Sequence, residues 1–419
     1  TYSCYTAVIA TNPDFVLNLM SRGCPLAVLL LHARGAPVDN PLGKEQQKLQ
    51  IGVLGGSISW GQNVKERERY SNILARSLNA TVINAAVPAT GVSTASLCLE
   101  TLLPEWRSLD VFVIEYAFND ALRTTPVHVH DGSNKYLEPL PSLERLLCTL
   151  LLQPDRSPPL VIVLAVCEFI HSKCQTLFHD VTEDYRMAGV IELSIWDAPA
   201  PKPGRPFFNH SQAGHWHPTN WGHSAIATLL QGAISILREP VTRGASKIPL
   251  VPRCLHDEFG APWHCLACSY DVHGCPGLRP ARADGFALHN LGRSDEEGRG
   301  HPKTGWRGVS VGSSLVVALG YADAPRRVVL EALCSYENVG HAIGWLTTTS
   351  DPVSHVRVKI DFRWNMQSSQ HCLMPITTAP AYANSSLHLE IDSNEGGARG
   401  DNQVKVFGVL TQVCRRETC

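Results

Sequence analysis

A chain of 419 residues is longer than one hydrophobic core usually organises, so two domains are expected before any motif is considered. Its 44% hydrophobic and 18% charged residues are those of an ordinary globular protein. A formal net charge of -2 offers no bulk attraction to nucleic acid or to an anionic membrane, so whatever binds must be recognised locally.

Residues 1–48 read as a leader that packs on the first domain. From about Leu49, short apolar runs alternate with helical ones. Strands are predicted over 51–54, 81–87, 111–116, 160–167 and 190–195, and helices over 64–78, 93–106, 141–152, 175–187 and 219–237. Apolar strands separated by helices of this length predict a parallel sheet covered on both faces, that is, a doubly wound α/β domain over 49–250. Past Pro249 and Pro252 the pattern changes. Alternation of period two over 314–319, 327–333, 356–362, 386–391 and 403–412, without convincing helices, predicts a β-sandwich domain over 251–419 that begins with a cysteine-containing linker. The longest apolar runs, 25–32 and 160–167, are too short to span a bilayer.

The first strand runs into Gly55-Gly56-Ser57-Ile58-Ser59-Trp60-Gly61. Gly56 and Gly61 have the spacing of a phosphate-binding loop, yet Gln62 and Asn63 stand where a lysine and a hydroxyl residue are needed, and the dinucleotide pattern G-x-G-x-x-G is not formed. Ser57 falls just past the carboxyl end of the first strand, where open α/β sheets bind ligands, and so reads as a nucleophile. The plain alternative is a strand-to-helix turn that favours Gly and Ser. Two further stretches favour the nucleophile. The third strand ends in "VFVIEYAFND", which brings the Asn119 amide to the same edge, and "HWHPTNWGH" places His217 immediately before the final helix. A serine, an amide donor and a histidine on three loops at one sheet edge are the parts needed for acyl transfer.

With these residues the chain resembles the SGNH (GDSL-type) hydrolases over roughly 49–240. The family's G-D-S block is matched by Gly55-Gly56-Ser57, its second block by "NAAVPATG", its G-x-N-D block by Ala117-Phe118-Asn119-Asp120, and its D-x-x-H-P block at His217-Pro218. The resemblance implies a flavodoxin-like sheet of five parallel strands, Ser57 as nucleophile, His217 as general base, and an oxyanion hole that includes the Asn119 side chain and a backbone amide from Ala89 or Gly91. One position departs from the family: Gly214 stands where the aspartate that orients the histidine belongs. Three readings follow, namely a Ser57–His217 dyad, an acid from elsewhere such as Asp197, or a silent site; retention of Ser57, Asn119 and His217 favours activity. The C-terminal region resembles the β-rich extension of some algal and protist relatives, which implies a carbohydrate-facing module.

Fourteen cysteines, an even number, point to disulfides and an oxidising compartment, and three sequons at Asn79, Asn209 and Asn384 permit glycosylation. A chain starting at Thr1 fits a processed, secreted or lumenal protein. Cys254, Cys265, Cys268 and Cys275 suit disulfides better than zinc, and His210, His215, His217 and His223 lack the compact spacing of a metal site. Trp60, Trp216 and Trp221 flank the catalytic blocks, either stacking on substrate or packing the rim, and Lys65 to Arg69 read as the solvated face of the first helix. The expectation is a secreted esterase that needs no cofactor and acts on O-acetylated polysaccharide, glycoconjugate or another ester, with glycan binding by the C-terminal domain and no nucleic-acid partner. The rival is a catalytically silent extracellular matrix or glycan-binding protein, assembled outside the cell on the same fold.

Overall fold

The computed structural model describes residues 8–10, 28–30, 48–124, 139–153, 156–167, 174, 176–196, 207–208, 217–238, 263–267, 277–290, 304–335, 339–349, 357–363, 370–379, 383–392 and 403–414. Within the first 48 residues, β1 (Val8–Ala10) and β2 (Val28–Leu30) pair in parallel.

The α/β domain runs β3 (Gln50–Gly55), α1 (Ser57–Trp60), α2 (Tyr70–Ser77), β4 (Thr81–Asn84), α3 (Val92–Leu102), β5 (Val111–Glu115), α4 (Ala117–Thr124), α5 (Pro139–Leu151), β6 (Leu160–Cys167), α6 (His179–Tyr185), β7 (Val190–Trp196) and α7 (Asn220–Arg238). Its strands are all parallel in the order β4-β3-β5-β6-β7. This is the flavodoxin-like doubly wound order expected for the SGNH fold, with its switch point between β3 and β5. Helices on both faces bury β3, β5 and β6 almost completely, which is why their sequences are continuous apolar runs rather than alternating ones.

Among the described residues the C-terminal domain is a β-sandwich of eleven strands: β8 (Trp263–Ala267), β9 (Arg282–Asp284), β10 (Phe286–Asn290), β11 (Thr304–Gly308), β12 (Ser314–Ala322), β13 (Arg326–Cys334), β14 (His341–Thr348), β15 (Arg357–Asp361), β16 (Gln370–Ala379), β17 (Ala383–Ile391) and β18 (Val404–Val413). One sheet has the order β10-β11-β18-β13-β16, with β8 also pairing β18; the other has the order β15-β14-β17-β12-β9. All of these pairings are antiparallel. Leu315, Val317, Leu330, Leu389 and Val406 fill the space between the sheets. The outer face of the first sheet is also covered: Val329, Leu373 and Leu410 pack on Leu97 and Cys98 of α3. Cys98 is disulfide-bonded to Cys265 of β8, so the two domains are joined covalently as well as by apolar contact. Further disulfides join Cys167 to Cys174 and Cys334 to Cys372, and Cys148 and Cys414 are disulfide-bonded too.

Several expected elements take a different form. The third strand stops at Glu115 and Ala117 starts a helix, so Asn119 sits in a first helical turn rather than at a strand end. The expected helix over 64–78 is a 3-10 turn, Glu66–Glu68, followed by α2; Arg69 between them is buried against Trp60, so only the first part of that charged run is solvated. The helix over 93–106 ends at Leu102 because Pro104 cannot continue it, and a separate 3-10 turn, Trp106–Ser108, follows. In the sandwich, β14 and β16 carry no clear alternation; Pro375 lies in β16 where the register with β13 shifts, a bulge that a proline tolerates.

Candidate active site

The site stands at the switch point, where the chains leaving β3 and β5 diverge. After β3, Gly56 adopts an extended conformation and donates its amide to the Glu115 carbonyl at 3.1 Å, which ties the start of α1 to the end of β5. Ser57 opens α1, and its Oγ lies 2.8 Å from Nε2 of His217. The two residues singled out as nucleophile and base are therefore in hydrogen-bond contact across the edge of the sheet.

Asn119 lies beside them. Its Nδ2 donates to the Thr90 carbonyl at 2.7 Å, which leaves a second N–H on the same nitrogen. A Cβ added to Gly56 would collide with that Nδ2, so glycine is what allows the amide to sit directly against the nucleophile's backbone. The loop 87–91 is held from several sides. Val87 donates to the Gly55 carbonyl at 2.8 Å, Thr90 Oγ1 donates to the Val87 carbonyl at 2.6 Å, and Asp120 Oδ2 accepts the Val92 amide at 3.0 Å at the start of α3. Ala89 takes a left-handed conformation, with φ of 65°, and Gly91 is extended just before α3. Both candidate amide donors thus belong to the loop that Asn119 grips. Asp120 anchors this loop.

His217 is positioned by backbone contacts around it. Pro218 bridges to Phe208, Thr219 donates to the Phe207 carbonyl at 2.8 Å, and a Cβ on Gly222 would stand 2.6 Å from that same carbonyl. Gly214, Trp216, His210, His215 and Asp197 lie outside the described residues. Trp221 packs edge-on against Phe207, and the Arg69 guanidinium covers a face of the Trp60 ring. Among the described residues no cluster of His, Cys, Asp and Glu could hold a metal ion, and Cys265 of the four-cysteine group is in a disulfide.

A buried polar layer lies under the nucleophile. Ser59 donates its amide, at 3.3 Å, and its hydroxyl, at 3.1 Å, to Oε2 of Glu115, and the same hydroxyl contacts Tyr70 Oη at 2.6 Å. Tyr70 in turn donates its amide to Nδ1 of His223 at 3.3 Å. Burial pushes His223 down to about 3, so its ring is neutral and carries its proton on Nε2. Burial also pushes the Glu115 carboxyl up to about 8, against a usual value of 4.5.

The sign of the resulting pH dependence follows from that shift. Folded protein keeps a proton on Glu115 that the unfolded chain releases above 4.5, so the stabilisation is complete below 4.5 and is lost as pH rises towards about 8. Glu115→Gln is expected to lose less stability than the parent between pH 5 and pH 8, as read from urea midpoints at the two pH values (about three units apart, within the window set by linkage). Equal losses in the two proteins would remove Glu115 as the source.

No protein-family model matches the chain, and no curated protein matches its sequence. In structure it is similar to a two-domain esterase (CEX) active on acetylated mannans, with a TM-score of 0.56 and 14% identity, covering 88% of this chain and 92% of that one. The same esterase co-crystallized with mannopentaose gives a TM-score of 0.54 at 14% identity over the same shares. The likeness spans both domains, so the fold shared is the α/β domain together with its sandwich.

Proposed function

We propose that the chain is a secreted serine esterase that removes acyl groups, chiefly O-acetyl, from polysaccharide or glycoconjugate. The observation that carries this reading is the 2.8 Å contact between Ser57 Oγ and His217 Nε2 beside the Asn119 amide. Ser57 Oγ attacks the ester carbonyl while His217 takes its proton. The oxyanion so formed is met by the Ser57 amide, by an amide of the loop at Ala89 or Gly91, and by the second N–H of Asn119. The tetrahedral intermediate collapses as His217 gives the proton to the departing sugar hydroxyl. Water then attacks the acyl-serine with His217 again as base, which releases the acid and restores Ser57.

The carbohydrate substrate is supported by the similarity in both domains to an esterase active on acetylated mannans. In this reading the sandwich also binds glycan. Disulfides in both domains support passage through an oxidising compartment, and among the described residues no helix is long and apolar enough to cross a membrane.

The test is acetate release from O-acetylated mannan, together with labelling by a fluorophosphonate probe mapped by peptide mass spectrometry. Release of acetate with the label on Ser57 is expected. A chain that neither releases acetate nor takes the label at Ser57 is the silent glycan-binding protein that Gly214 would suit.

A further inference from the structure

We infer that the sandwich domain completes the catalytic constellation: the backbone amide of His371 on edge strand β16 holds the Ala89 carbonyl, and through it the loop that positions Asn119. This rests on the esterase reading for its catalytic consequence, but the geometry stands by itself. Strand β16 is the last strand of its sheet, paired with β13 on one side. On the other side its His371 N–H donates to the Ala89 carbonyl of the α/β domain at 3.0 Å. An edge-strand donor that would otherwise face solvent is thus satisfied by the active-site loop.

The residue it holds is the one that needs holding. Ala89 has φ of 65°, a left-handed conformation that a residue with a Cβ keeps only where its surroundings impose it. The next carbonyl, that of Thr90, is the acceptor for Asn119 Nδ2 at 2.7 Å. Only the Ala89–Thr90 backbone therefore separates the sandwich from the side chain that faces Gly56 and Ser57.

His371 is itself firmly seated. Its Nδ1 lies 3.0 Å from Oε1 of Glu331, and its ring stacks on Phe407 with centroids 4.0 Å apart and planes 3° from parallel. The side chains of His371 and Glu331 are only 1% and 0% exposed, on the face of the sheet turned away from the sandwich core. The same face packs Val329, Leu373 and Leu410 on α3, which begins just after the held loop. The Cys98–Cys265 disulfide and the bond from Thr101 Oγ1 to the Cys265 carbonyl, at 3.4 Å, fix α3 to β8 in the same sheet. A module that merely tethers the enzyme to a polymer would have no reason to reach this loop.

The two roles separate by experiment, because p-nitrophenyl acetate contains no sugar. In the full-length chain, His371→Pro removes the donated N–H at an edge position where proline can sit, whereas His371→Ala removes the imidazole and keeps the N–H. Relative to His371→Ala, the proline variant is expected to lose about tenfold or more in kcat for p-nitrophenyl acetate with KM within about twofold, since a donor has been misplaced rather than a binding site lost. Cys98→Ser/Cys265→Ser, which loosens the docking without touching β16, is expected to lower kcat in the same direction and serves if the proline variant does not fold. Hydrogen exchange gives a readout independent of turnover: deuterium uptake by the segment 87–92 should rise in the double cysteine variant, and should rise further in His371→Pro than in His371→Ala, which loses the seating of the residue but keeps the N–H. Unchanged kcat together with unchanged exchange in these variants would overturn the inference. Loss of protection in 87–92 in a chain whose wild type neither turns over ester nor labels at Ser57 would sustain the coupling and sink the esterase reading instead.

Discussion

Ser57→Ala and His217→Ala are each expected to lower kcat for p-nitrophenyl acetate by about 10⁴-fold or more, and the double variant by no more than the worse single one. The non-additivity is the diagnostic part. Ser57 Oγ is a poor nucleophile while it holds its proton, and His217 Nε2, at 2.8 Å, has no proton to take once the hydroxyl is gone. Two groups that act only together are lost together. Residues that merely packed side by side would give small effects that add. How the imidazole is oriented with Gly214 in the usual aspartate position takes a separate variant. Backbone contacts through Phe207, Phe208, Pro218 and Thr219 already place the segment that carries His217. Asp197→Asn separates two arrangements: a loss on the order of 10⁴-fold, as for a triad aspartate, puts that carboxylate behind His217, and an unchanged kcat removes Asp197 as the residue that orients it.

What could be read in advance depended on whether the information was local. The run 160–167, read as a strand on its apolar content alone, has those bounds as β6, because a strand buried on both faces carries its own signature. Ser57, Asn119 and His217 were legible for a related reason: each lies where a strand or loop meets a helix, among Gly, Pro and polar residues that stand out from the apolar runs. The helix carrying Asn119 was not, since Tyr116, Ala117 and Phe118 prolong the apolar pattern of β5 past its end at Glu115. Nor could the layer of Glu115, Ser59, Tyr70 and His223 be seen, because its partners come from four separate elements or their ends. The contact of His371 with Ala89 joins residues in different domains, and nothing near either one marks it.

Asn119→Ala is expected to reduce kcat by about 10²–10³-fold, corresponding to ~3–4 kcal/mol of lost transition-state stabilisation, while leaving KM for a small ester nearly unchanged. The split follows from where the amide points its hydrogens. One is occupied by the Thr90 carbonyl at 2.7 Å, so the nitrogen is fixed before substrate arrives and need not reorganise during the reaction. The other is available to an oxygen that becomes strongly negative only in the tetrahedral intermediate, which is why the loss falls on kcat. Fluorophosphonate labelling of Ser57 should slow in this variant but persist, because the Ser57–His217 pair is untouched; complete loss of labelling would mean that Asn119 supports the pair itself rather than the oxyanion. Gly56→Ala provides the independent check. Its Cβ would collide with the Asn119 amide nitrogen, so a side chain added on the far side of that contact should reproduce the loss in kcat while Asn119 itself is retained. If Gly56→Ala left kcat at the wild-type level, the amide would not be the oxyanion donor, and the loop amides at Ala89 or Gly91 would have to carry that charge without it.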